Sequence, residues 1–128
     1  MYILINKDRT AVNEDFVTSN VKMAVAPAGW QWIDVNDKEA QALILKQRKA
    51  ELVKSLSSRA LDERRAVMPD YKLQNAALGI YDSATTAAIK SKCEAYRNEF
   101  YRVKELIEAS GTYEEAIEHY GKAFTKIA

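Results

Sequence analysis

The period of the hydrophobic pattern changes near residue 36. Tyr2-Ile3-Leu4-Ile5 is a short β-prone run closed by the turn-forming Asn6-Lys7-Asp8. Val21, Met23 and Val25 alternate with Lys22 and Ala24, the period-two signal of a half-buried strand. Ala26-Pro27-Ala28-Gly29 breaks the chain. Trp30 to Val35 then resumes the alternation, with Trp30 and Trp32 on one face and Ile33 and Val35 on the other. Three short strands predict a small antiparallel meander, which needs a helix or a partner chain to cover it.

From Asn36 onward the period is helical. Asn36 with Glu39 three positions later is a relative of the capping box. No Pro or Gly interrupts the chain before Met68, and Ala42, Leu45, Leu52, Leu56, Ala60 and Val67 fall near one face. A helix of this length would reach roughly 45 Å. Pro69 stops it. Residues 69–82 read as a connector with a short helix from Tyr71 to Leu78, ended by Gly79. Asp82 or Ser83 caps a second long helix. In it Ile89, Cys93, Tyr96, Phe100, Val103 and Ile107 are spaced 4, 3, 4, 3, 4, a heptad seam. Gly111 ends that helix. Thr112 and Glu115 form a T-x-x-E box for a last helix with the stripe Tyr113, Ala116, Ile117, Tyr120, Phe124 and Ile127.

The fold class that follows is α+β, mostly α. A small antiparallel β unit (1–35) precedes a helical arm (36–128) of two long helices, expected to form an antiparallel hairpin, and a short C-terminal helix. Tyr96, Phe100, Tyr113, Tyr120 and Phe124 are expected to fill the space between the last two helices.

Composition narrows the function. The 128 residues carry 19 Lys+Arg and 18 Asp+Glu, a net charge of +1, without the basic excess of a generic nucleic-acid binder. The near-neutrality is a cancellation: residues 1–40 are net −2 and residues 41–68 are net +4. One Cys excludes an intrachain disulfide, and one His excludes a His-rich zinc site. No apolar run approaches the ~20 residues needed to span a bilayer, and no signal peptide is expected.

Candidate chemistry is sparse. The glycines are too dispersed for a phosphate loop. Cys93 lies on the heptad seam and is expected to be a buried structural residue, while His119 is expected on the surface. Glu114, Glu115 and Glu118 sit where they favour a helix N-terminus. No cofactor, metal or enzymatic activity is expected. Trp30 and Trp32 either pack against the first helix or form an interface anchor. Arg48, Arg59, Arg64 and Arg65 make the first long helix basic, and they are either a solvated face or a surface for an anionic partner.

The segment Arg64-Arg65-Ala66-Val67-Met68-Pro69-Asp70-Tyr71-Lys72-Leu73-Gln74-Asn75-Ala76-Ala77-Leu78-Gly79-Ile80-Tyr81-Asp82 resembles one found in small bacteriophage tail and tail-fibre-associated proteins. Ala26-Pro27-Ala28-Gly29-Trp30, leading into Glu39-Ala40-Gln41-Ala42-Leu43, is similar to the entry of such proteins. The insertion of Leu73 between Lys72 and Gln74 departs from the pattern. The resemblance implies a phage context, in the host cytoplasm during infection or in the virion. With the absent chemistry it leads to an expected function: protein–protein contact, as a tail- or tail-fibre-associated adaptor or assembly chaperone. The expected partner-binding residues are Trp30, Trp32, Arg48, Arg59, Arg64, Arg65, Tyr71, Lys72, Gln74 and Asn75. The partner would be a phage or host protein, with homo-oligomerisation through the long helices as a further expectation. The alternatives are an inhibitor of a host defence system that binds a protein or a phosphate-bearing nucleotide, and a nucleic-acid-binding module.

Overall fold

The computed structural model describes residues 1–20, 22 and 25–127. Among the described residues the chain is mostly helical, with a three-stranded N-terminal antiparallel sheet followed by four helices. The strands are β1 (Tyr2–Asn6), β2 (Val12–Thr18) and β3 (Trp30–Asp34). The helices are α1 (Lys38–Val67), α2 (Asp70–Ala77), α3 (Ser83–Ala109) and α4 (Tyr113–Lys122). They form two compact units, Met1–Ala50 and Glu51–Ala128, and α1 contributes residues to both.

In the first unit β1 is the central strand, in the order β2-β1-β3. The turn after β1 is organised by Asn6, whose Oδ1 accepts the N–H groups of Thr10 and Ala11 at 2.8 and 3.0 Å. The second strand differs from the expectation. Val25 is outside any strand and fully exposed, and Val21 and Met23 lie outside the described residues. The strand that pairs with β1 is Val12–Thr18, which shows no alternation because its ladder is interrupted. Val17 is opposite Ile3 and Asn13 is opposite Leu4, so Glu14, Asp15 and Phe16 have no partner on β1. Asn13 Oδ1 accepts the Asp15 N–H at 3.0 Å within this bulge.

Strand parity decides what the sheet buries. Ile3, Ile5, Val12 and Ile33 pack with Ala40, Leu43 and Ile44 of α1. Trp30 and Trp32 are opposite Asn6 and Leu4, on the other face of the sheet, and both are half-buried. The tryptophans therefore do not pack against α1, because Ile33 and Val35 take that side. At Val12 the outer edge of β2 is closed by a side chain. Gln47 Oε1 accepts the Val12 N–H at 2.8 Å, and Gln47 Nε2 donates to the Val12 carbonyl at 2.9 Å. The amide thus imitates a neighbouring strand at one position.

Helix α1 starts one residue later than the capping-box reading places it. Asp37, not Asn36, caps it, with Oδ1 accepting from Glu39 and Ala40. The expected single stripe is also replaced. Ala42 and Val67 are exposed, whereas Ala40, Ile44 and Leu56 are buried. Ala40, Ile44, Leu52, Leu56 and Ala60 follow one row of four-residue steps, broken at Arg48, but such a row drifts about 40° per step, so Leu56 lies about 120° around the helix from Ile44. One helix supplies two cores with two different sets of positions.

In the second unit Leu56, Tyr96, Val103, Ile107, Ala116, Ala123 and Phe124 form one core, flanked by Leu52, Val53, Ala60, Phe100 and Tyr120. The heptad seam of α3 holds: Ile89, Tyr96, Val103 and Ile107 are buried, and Cys93 and Phe100 are half-buried. Asp82 caps α3 by accepting the Thr85 N–H at 2.7 Å. Thr112 caps α4, and Glu115 returns a carboxylate oxygen to the Gly111 N–H at 3.2 Å. Helix α2 ends in a Schellman turn. Gly79 is at φ 76°, its N–H meets the Ala76 carbonyl, and the Ile80 N–H meets the Asn75 carbonyl.

Replacement of Gln47 by Ala leaves both Val12 backbone groups without partners at a 5% exposed residue. The expected loss is about 1–3 kcal/mol of stability, read by urea unfolding. Faster hydrogen exchange at the Val12 amide should accompany it, and unchanged exchange there would refute the clamp.

Candidate functional site

The four arginines of α1 each meet an acceptor within the chain itself. Arg48 Nη2 meets Glu14 Oε1 at 2.8 Å, tying α1 to the bulge of β2. Arg64 and Arg65 converge on one carboxylate across Pro69. Arg64 Nη1 is 2.7 Å from Asp70 Oδ1, and Arg65 Nε is 3.1 Å from Asp70 Oδ2. Arg64 also donates to the Met68 carbonyl at 2.9 Å. The hydrogen bond from Arg64, followed by the charge of Arg65, holds the Asp70 carboxyl below its ordinary range.

Arg59 performs a different task. Its Nη1 and Nη2 donate to the carbonyls of Tyr120 and Ala123 at 2.7 and 3.0 Å. Its guanidinium carbon also lies 5.2 Å from the Tyr120 ring centre and 5.6 Å from that of Phe124. This capture ends α4 at Lys122, earlier than the apolar stripe through Ile127 predicts. Ala123 is extended and Phe124 enters the left-handed region at φ 66°, a strained conformation for a bulky side chain. Glu99 holds it there: Oε2 accepts the Phe124 N–H at 2.9 Å while the same carboxylate grips Arg102 at 2.6 Å. The Phe124 ring stacks on Tyr96 at 6.1 Å. The Arg102 hydrogen bond is the main cause that keeps the Glu99 carboxyl below its ordinary value, aided by the Phe124 N–H and opposed by burial.

Between the C-terminal part of α1, α2 and α3 lies an open groove of about 510 Å³. Ala60, Leu61, Leu73, Tyr96 and Phe100 give it an apolar lining. Ser57, Ser58, Cys93, Arg64 and Arg97 add polar groups, and no carboxylate lines it. Cys93 is therefore half-buried at a groove, not sealed in the core as its seam position suggests. His119 is likewise half-buried instead of exposed.

Helix α2 roofs this region with Leu73 in the groove lining, and Lys72, Leu73 and Ala76 are half-buried. Tyr71, Gln74 and Leu78 share the other face by helical spacing and are exposed. Asn75 donates from Nδ2 to the Tyr81 hydroxyl at 3.3 Å and braces the turn. Among the residues expected to bind a partner, Arg64 lines the groove and Leu73 links it to Tyr71, Lys72, Gln74 and Asn75 on α2. Arg59 serves the end of α4. Trp30, Trp32 and Arg48 belong to the other unit.

Arg97 is the groove residue that the charge pattern does not single out. Nothing in the sequence signals its role, since Glu94 stands three residues before it as a possible helical partner. Among the described residues, six of the seven arginines meet a carboxylate and Arg97 does not. A scan against protein-family models, a search of curated proteins and a search of solved structures each found no match to the chain.

The Glu99 anchor has a pH signature. Its folded-state pKa is depressed, so its contribution is present above the unfolded value near 4.5 and is lost as pH falls through the folded value. Glu99→Gln should lower stability at neutral pH, and the gap from the parent should close in acid. Denaturant midpoints at about pH 6 and about pH 3 measure it. A gap that persists in acid would rule out the charged anchor.

Proposed function

We propose that the chain is a non-enzymatic protein that acts by protein–protein contact, with α2 and the groove beneath it as its contact surface. The observation that carries this reading is the exposure of Tyr71, Leu78 and Ile80, at 58%, 76% and 62%, within ten residues of chain. These side chains cluster on α2 and the turn that follows it, and contiguous exposed apolar surface marks interaction sites. The resemblance of residues 64–82 to phage tail and tail-fibre-associated proteins covers this same element. It supports an adaptor or assembly chaperone of that kind, working in the infected host cytoplasm or carried in the virion. Among the described residues no helix is long and apolar enough to cross a membrane.

The reading as a nucleotide-binding inhibitor of host defence, or as a nucleic-acid module, draws on Arg48, Arg59, Arg64 and Arg65. Each of these holds an intramolecular carboxylate or carbonyl, which an incoming phosphate would have to displace. That competition favours protein contact over anion capture.

A photo-reactive amino acid at Tyr71 or Leu78, with Ser55 as the control position, tests the surface in phage-producing cells. The expected result is an adduct to one defined virion or host protein from both α2 positions, absent at Ser55. The adduct from Tyr71 should be lost when Leu78 is replaced by Asp. Equal labelling at all three positions would sink the proposal.

A further inference from the structure

The outer face of α4 complements the groove. Glu114, Ile117, Glu118 and Gly121 fall on one side of this helix by spacing, and all four are exposed. The result is an apolar knob, Ile117, between two carboxylates and beside a glycine. A Cβ at Gly121 would meet nothing within 4 Å, so the backbone there is open to close approach. Glu118 is engaged by Lys122 at 2.9 Å. Glu114 has no cation partner among the described residues.

The groove has the opposite character. Its apolar lining includes Leu61, which is 40% exposed, and Leu73. Its charged groups are Arg64, already shared with Asp70, and the unpaired Arg97. An apolar side chain flanked by carboxylates satisfies both parts of such a site. This chain displays that combination on its own surface.

We propose that the groove receives α4 of a second copy of the chain, with Ile117 seated between Leu61 and Leu73 and Glu114 paired with Arg97. The proposal deepens the contact reading by naming one partner of that surface. The two surfaces differ, so the contact is head-to-tail. In a pair one copy is left with a free α4 and the other with a free groove, so assembly continues to a ring or a filament.

Sedimentation velocity and light scattering on the full chain test this over a concentration series. The mass should rise with concentration past that of a dimer. Arg97→Glu and Ile117→Asp should each weaken association by about tenfold or more. Both positions are exposed, and circular dichroism checks that each variant is folded. The decisive arm is the mixture. The Arg97→Glu chain keeps its α4 face and the Ile117→Asp chain keeps its groove, so together they should form a 1:1 dimer that grows no further. A parent chain monomeric throughout, variants that assemble like the parent, or a mixture that stays monomeric would each overturn the self-contact. A monomeric chain that still cross-links to a foreign protein through α2 would leave the contact reading standing while removing this inference.

Discussion

Everything in this chain depends on α1 serving two cores with one stretch of backbone. Ala40, Leu43 and Ile44 close the sheet of the first unit, and Leu52, Leu56 and Ala60 enter the core of the second. A row of four-residue steps drifts about 40° around the helix at each step, so Ala40 and Ile44 take a different face from Leu56 and Ala60, with Arg48 between them in the row. The long uninterrupted run from Lys38 to Val67 is the compensation. Thirty residues without Gly or Pro sustain the helix across the change of face.

The same constraint explains what the sequence makes legible. The seam from Ile89 to Ile107 can be read because every position faces one core. The caps at Asp82 and Thr112 can be read because their partners lie within three residues. The stripe on α1 cannot, since its core positions drift around the helix from one core to the other and Arg48 interrupts the row. Strand β2 is hidden by its bulge, where Glu14, Asp15 and Phe16 lose their partners on β1. The end of α4 is hidden for another reason: its terminator, Arg59, is 61 residues away from Tyr120 in sequence.

The candidate site divides the same way. A count of charges identifies α1 as basic, but it does not reveal that Arg64 and Arg65 are held by Asp70 across a proline. Nor does it reveal that Arg59 has become a helix cap. The groove is built from Ser57, Leu73 and Arg97 on three helices, and only folding brings them together. The connector 69–82 is legible as a break between two helices, whereas the exposure of Tyr71, Leu78 and Ile80 within it comes only from the fold.

The Gln47 clamp has a consequence for solubility. A strand at the rim of a sheet offers its amides and carbonyls as a template to any other chain, and stacking of that kind is hard to reverse. At Val12 both outward groups are already occupied by a side-chain amide, and the bulge beside it disrupts the flat ladder that stacking requires. At that position the rim of β2 has no backbone group left to offer another strand. The Gln47 amide thus removes one template position from an exposed sheet edge, and the bulge removes the flatness of the next ones.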